Sequence, residues 1–299
     1  MSTFTGRSYA DETDLARLIA FLPAARPAEW ISDYPAPADL REILCRPELQ
    51  ANTRLWFDQR DQLIAYALVD AYNNFMFNYA PHASSLELEE AIMQWGLSCG
   101  ELPLDTVCRE DDASRLAWLT RHGFQPQSTR TLRFMRSLTT PLPEVQLPQG
   151  FTIRSATGFS VEALVALHRA AFGTEHMTLE ERRAIMSGPD YLPEFDLIAV
   201  APDDRLAGFC FCSISGEENA ITGRREGRTD PIGVPPDFQK RGLARALIVT
   251  GLQLLLERGA EYAVLGTDGE NVVMHAAARS AGFQLESARM WLTKPLAES

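Results

Sequence analysis

Ile232-Gly-Val-Pro-Pro-Asp-Phe-Gln-Lys-Arg-Gly-Leu-Ala-Arg-Ala-Leu-Ile248 opens as a short apolar strand and breaks at two prolines. It then sets Gln239, Lys240, Arg241, Gly242, Leu243 and Ala244 at the mouth of an amphipathic helix. The first four N–H groups of a helix have no internal partner, and the macrodipole adds about half a positive charge at that end. Lys240, Arg241 and Arg245 bring cations to the same place, where they oppose the dipole instead of complementing it. Local folding gains nothing from such crowding, so a bound anion is the expected counter-charge. The competing reading is an ordinary basic helix start at the surface.

Working outward, the residues around this stretch recur in an order found earlier in the chain. In the first half, Arg7–Tyr9 reads as a strand and Asp11–Leu22 as a helix with Leu15, Leu18, Ile19 and Leu22 on one face. Leu55–Phe57 and Leu63–Val69 flank a polar turn as a hairpin, and Phe75, Phe77 and Tyr79 alternate as on a half-buried strand. A helix over 86–97, a strand over 104–108, a helix over 113–120 ending in Gly123-Phe124 and a strand over 131–138 follow. Thr139 to Gly150 carries three prolines and no periodicity, the composition of a linker. The order then restarts: a strand over 151–154, a helix over 161–172 capped by Ser160, and a hairpin of 197–200 with 206–212. After the strand, loop and helix quoted above come a strand over 262–265, a helix over 271–281 ended by Gly282-Phe283, and a strand over 288–292.

Asp112 to Phe124 and Asn271 to Phe283 space a polar cap and a Gly-Phe pair identically, and Gly100 and Gly259 keep one offset to them. Asp61 and Asp204 sit alike in the two hairpin turns. Several such matches in one order make duplication the better account. The domains expected are 1–138, a linker at 139–150, and 151–299.

A chain of 299 residues suits two domains of about 150 each. Five cysteines without C-x-x-C spacing point to reduced thiols and a cytoplasmic protein. Cys210 and Cys212 share a strand face, where core packing is the simpler role. The amino terminus has no apolar h-region and no segment is long enough to cross a bilayer, so neither secretion nor membrane insertion is expected. A net charge of −12 disfavours nucleic acid as a partner and mildly favours cationic amines. His168 and His176 are too far apart to read as a metal pair, and no metal is expected.

The carboxy-terminal half resembles the GNAT superfamily of acyl-CoA-dependent N-acyltransferases. The resemblance rests on Gln239, Gly242 and Ala244 in the pattern Q/R-x-x-G-x-G/A after Val234 and Pro235, and on Asn271 opening a helix that ends in Gly282-Phe283. It covers about Phe151 to Leu296 and implies an α+β, three-layer α/β/α architecture. Two tandem GNAT-like domains follow, each a mixed, mostly antiparallel twisted sheet flanked by helices. It implies that acetyl-CoA, a co-substrate, lays its pyrophosphate on the N–H groups of Gln239 to Ala244, with Arg241 or Arg245 on phosphate oxygens. The backbone of Ile232, Gly233 and Val234, and the Asn271 side chain, would hold the pantetheine arm. In the first half the same positions fall on Ala80-Pro-His-Ala-Ser-Ser85, without glycine or arginine. That half reads as a degenerate domain.

The implied reaction is direct transfer of an acetyl group to a primary amine of a small molecule or peptide, in a monomer or homodimer. It needs a base, an oxyanion donor and a proton for the departing thiolate. Glu226 and Asp230 are the candidate bases beside the strand, with Glu217 and Glu218 before it, acting directly or through water. The family's tyrosine acid falls on Ala278, a departure from the pattern, and His275 one turn earlier is the substitute considered. A CoA-binding regulator without turnover, or a non-catalytic scaffold, are the alternatives.

Overall fold

The computed structural model describes residues 4–33, 35–100, 103–188 and 191–296. The chain forms two compact units, one of Met1–Arg130, Ala220–Gly223 and Arg289–Ser299, the other of Thr131–Asn219 and Arg224–Ala288. In chain order the first half holds β1 (Phe4–Ser8), α1 (Glu12–Ala25), α2 (Pro37–Leu44), α3 (Pro47–Ala51), β2 (Thr53–Asp58), β3 (Leu63–Val69) and β4 (Phe75–Tyr79). Then come α4 (Leu86–Cys99), β5 (Leu104–Arg109), α5 (Ala113–Arg121) and β6 (Gln125–Ser137). The second half holds β7 (Thr152–Ser155), α6 (Val161–Phe172), α7 (Leu179–Met186), β8 (Asp196–Val200), β9 (Leu206–Phe211), α8 (Gly216–Thr222) and β10 (Glu226–Arg228). It closes with β11 (Ile232–Gly233), α9 (Leu243–Glu257), β12 (Tyr262–Asp268), α10 (Val272–Ser280) and β13 (Gln284–Lys294).

In the first unit β1-β2-β3-β4 form an antiparallel sheet, and residues 289–294 of β13 pair antiparallel with β5. One face packs α4 and α5 through Trp56, Phe75, Phe77, Ile92 and Trp118; the other packs α1 and α2 through Leu18, Leu22, Leu40, Leu55 and Tyr66. In the second unit β7-β8-β9-β11 form an antiparallel sheet. Residues 131–137 of β6 pair antiparallel with β12, which is parallel to β10 on its other side. Helix α9 is buried there along Leu247, Ile248, Leu252 and Leu255. The boundaries expected at 138 and 151 follow the order of the sequence, whereas each compact unit includes a strand segment from the opposite half. A strand segment is placed by its ladder partner, and residues 131–137 find theirs in β12.

The repeat extends to backbone detail. Asp61 (φ 58°) and Asp204 (φ 63°) both take the left-handed conformation in their hairpin turns, which a short polar side chain tolerates. Each hairpin also slips register at the same place, between Trp56 and Phe57 and between Ala199 and Val200. The equivalent helix starts are capped alike: Asp112 accepts from the Arg115 N–H, and Asn271 from the Met274 N–H. Cys210 and Cys212 are buried with their sulfurs 3.8 Å apart, as alternation requires.

Candidate active site

The second unit is split at Asp230. Before it, Arg228 and Thr229 lie against β12, with the Thr229 N–H donating to the Val264 carbonyl at 3.0 Å. After it the chain crosses to β9, where Ile232 pairs Cys210 and Gly233 pairs Phe209. β11 and β12 therefore part, and β11 becomes the edge of its sheet with one side of its backbone unpaired by any strand. The Gly266 N–H, which loses its ladder partner at the fork, donates to Asp230 Oδ2 at 2.9 Å. Asp230 Oδ1 is buried with no hydrogen-bond partner. A buried carboxylate oxygen without a donor is costly.

Beyond β11 the loop is pinned by Gln239 Nε2, which donates to the Val234 carbonyl at 3.0 Å. Lys240 (φ 61°) and Gly242 (φ 82°) both adopt the left-handed conformation, and Gly242 is the N-cap of α9. No side chain caps that helix and no acid lies in its first turn. A Cβ at Gly242 would meet nothing within 4 Å, so the helix mouth is open. Arg241 donates to the Asp237 carbonyl at 3.2 Å and lies over the Phe238 ring, and Arg245 donates to the Glu144 carbonyl at 3.3 Å. Among the described residues no carboxylate pairs with Lys240, Arg241 or Arg245, although acids outnumber bases forty to twenty-eight along the chain. Uncapped N–H groups thus stand at a segment whose cations have no carboxylate partner among the described residues.

The first unit treats its equivalent helix in the opposite way. Ser85 caps α4 by accepting from the Leu88 N–H, and Glu87 and Glu89 fill the first turn. Those groups satisfy the donors and complement the dipole internally, so a phosphate would meet repulsion. The loss read from Ala80–Ser85 is thus a change of cap chemistry, not only of missing glycine.

The acid–base candidates fall in different surroundings. Glu226 is 9 % exposed, and its carboxylate meets Arg133 Nη2 at 2.5 Å; the same guanidinium holds Glu286. Its Oε1 is engaged in that ion pair. Glu217 and Glu218 open α8, and Glu218 is buried beside Arg228 at 3.4 Å. His275 is 8 % exposed, its Nε2 is 2.9 Å from the Asp268 carbonyl, and its ring tilts against Phe134. It ties α10 to the end of β12 and is not the exposed helix histidine that its position in the sequence suggests. Ala278 is wholly buried in the core, so no polar group occupies the tyrosine position. Only Asp230 sits at the fork with an oxygen to spare, a feature that depends on the parting of two strands and leaves no mark in local sequence.

Near Gly233 lies His168, which the sequence brings up only in connection with a metal pair. A Cβ at Gly233 would stand 2.5 Å from Phe209 and 2.7 Å from Ala171, so only glycine lets β11 pass under α6. His168, one turn before Ala171, stacks on Phe209 with centroids 5.6 Å apart, and its Nδ1 is buried without a partner. Burial lowers its pKa below the usual imidazole value, with Arg182 adding to the effect. Among the described residues no group of three or more His, Cys, Asp or Glu is placed to hold a metal ion, and no helix is long and apolar enough to cross a membrane.

Residues 161–283 match the family model described as Acetyltransferase (GNAT) family. The chain is 27 % identical over 289 residues to a mycothiol acetyltransferase of Nocardia farcinica, covering 90 % of this chain and 89 % of the relative. Other curated relatives of the same name are matched over about half of their length, for example 51 % and 52 %. Among solved structures, a GCN5-related N-acetyltransferase from Sphaerobacter thermophilus superposes with a TM-score of 0.70 at 21 % identity, covering 100 % of this chain and 99 % of that one. A tandem GNAT protein from the clavulanic acid biosynthesis pathway gives a TM-score of 0.70 at 13 % identity, covering 99 % of each chain. At those identities the likeness is one of fold.

Proposed function

We propose that the protein, whose residues 161–283 match the acetyltransferase (GNAT) family model, transfers an acetyl group from acetyl-CoA to a primary amine in a ternary complex. The observation that carries this reading is the uncapped mouth of α9. Gly242 leaves it open, Gln239 pins its loop, and Lys240, Arg241 and Arg245 surround it without carboxylate partners. The residues fit a diphosphate: backbone donors, dipole and cations point to one place. The unpaired edge of β11 fits the amides of a pantetheine arm, which add as a strand adds. Asn271 spends its Oδ1 on the α10 cap and keeps its amide N–H group for such an arm.

Acetyl-CoA, when bound, supplies an activated acyl thioester. Asp230 is the candidate base, because its Oδ1 is buried, unpaired and at the fork. It would take a proton from the acceptor ammonium, directly or through water, while Gly266 holds the other oxygen in place. Backbone N–H groups on the open edge of β11 would stabilise the oxyanion. No side chain takes the place of the tyrosine acid at Ala278, so the thiolate would leave unassisted or take its proton from water.

Similarity to mycothiol acetyltransferases puts a mycothiol-type amine in the acceptor panel beside simple amines and peptides. The test is thiol release from acetyl-CoA by the full chain against that panel. Turnover with at least one amine, lost in Asp230→Asn, is the expected result. CoA binding without turnover for every amine would support a regulatory role instead.

A further inference from the structure

The first unit contains a cavity of about 610 Å³ that the acetyl-transfer reading does not use. It lies where β4 and β5 part. The Asp105 N–H donates to the Asn73 carbonyl at 3.0 Å and Thr106 Oγ1 to the Phe75 carbonyl at 2.7 Å. Further along, Asn78 and Tyr79 of β4 and Val107, Cys108 and Arg109 of β5 line the opening. It is the counterpart of the fork at Asp230, built without a phosphate-binding helix start. Its volume is that of a small-molecule site.

The lining carries more positive than negative side chains. Arg26, Arg109, Arg115 and Arg289 face the cavity against Asp33 and Asp112. Asp33 is shared between Arg109 at 3.1 Å and Arg289 at 3.6 Å, and Asp112 is occupied as the cap of α5. Arg26 meets only neutral oxygens, the carbonyls of Pro35, Asp33 and Ile31 at 2.7, 2.8 and 2.9 Å. Arg115 donates to the Phe77 carbonyl at 2.9 Å and reaches Asn78 Oδ1 at 3.5 Å, lying over the Phe77 ring. The Nε of both is buried without a hydrogen-bond partner. Two guanidiniums that hydrogen-bond only neutral oxygens, in a protein of net charge −12, are suited to an anionic ligand. Trp30 and Tyr79 add apolar surface to the lining.

We propose that this cavity binds a small molecule carrying a carboxylate or phosphate group, held by Arg115 and Arg26 between β4 and β5, with its apolar part on Trp30 and Tyr79. The ligand is not a second acyl-CoA: α4 starts on a Ser85 cap with Glu87 and Glu89 beside it and offers no cradle for a diphosphate.

Calorimetric titration of the full chain with benzoate and with phenyl phosphate, in the presence of saturating CoA, tests this and separates the two head groups. At least one probe should bind at one site per chain. Arg115→Gln should weaken it by about tenfold or more, the loss expected for one charge-assisted hydrogen bond. Arg115 also supports Phe77, so Ser114→Glu is the second variant. Ser114 is exposed on the lining in the first turn of α5, where an acid complements the dipole, and its Oγ donates to Asp112 Oδ1 at 2.8 Å. The variant should weaken the probe severalfold while the chain stays folded, with a thermal-stability loss no larger than that of Ser114→Ala, which removes the same bond without adding charge. Absence of binding by both probes at about 10 mM, a concentration that detects even weak sites, would overturn the proposal. So would indifference of a bound probe to both variants, or its displacement by acetyl-CoA in a Gly242→Trp chain.

Discussion

Gly242 and Gly259 form a matched pair that separates backbone strain from ligand binding. Their φ angles are 82° and 84°, and a Cβ at either would meet nothing within 4 Å. Replacing each by alanine therefore costs the left-handed penalty alone, about 1 kcal/mol. For a unit of this size that lowers Tm by roughly 2–4 °C, and the two variants should match. Their effects on acetyl-CoA should differ. Gly259 ends α9, whereas at Gly242 the methyl occupies the open mouth of the helix. Holding one phosphate oxygen away from a backbone N–H forfeits a hydrogen bond to a charged group, about 1.5–3 kcal/mol, or roughly 10- to 150-fold in Kd. Melting curves and titration calorimetry with CoA on both variants provide the measurement. Equal Kd values for the two, with equal Tm losses, would refute the assignment of the α9 mouth as the diphosphate site.

Asp230→Asn should lower kcat by about 10²-fold or more with little change in the KM for acetyl-CoA, since an amide oxygen still accepts from Gly266 but takes no proton. Steady-state kinetics read this, and Glu226→Gln should instead leave kcat near wild type while destabilising the chain by stranding part of the Arg133 charge. Ser85→Ala should cost about 1 kcal/mol in denaturant unfolding, the loss of an N-cap, and should leave acetyl-CoA kinetics unchanged. His168 and His122 both have pKa values lowered by burial. Above about pH 6.5 neither state binds the proton; as pH falls below that value the unfolded chain is protonated first, so stability declines. Unfolding free energies from pH 7.5 to 5 should show the decline, and it should be shallower in His168→Asn.

Short-range chemistry was legible in the chain itself. Pro235, Gln239, Gly242 and Asn271 mark a turn, a left-handed position and two helix starts, each a property of a few consecutive residues. The duplication was legible for the same reason, since Asp61 and Asp204 occupy their turns alike and Asp112 and Asn271 cap their helices alike. Even the different start of α4 could be read, because a helix cap is local. What the chain in order does not contain is which strands part company. Asp230 and Glu226 are both acids next to the strand at 232. Only the crossing of the backbone from β12 to β9 leaves one of them at an open fork, while the arrival of Arg133 from β6 closes the other in an ion pair. His275 likewise reads as a surface helix residue until Asp268 and Phe134 surround it. The cavity flanked by Arg26 and Arg115 gathers residues from α1 to β13. Local propensity fixes caps and turns, but the state of a carboxylate or guanidinium depends on which distant groups the tertiary fold brings within hydrogen-bonding reach.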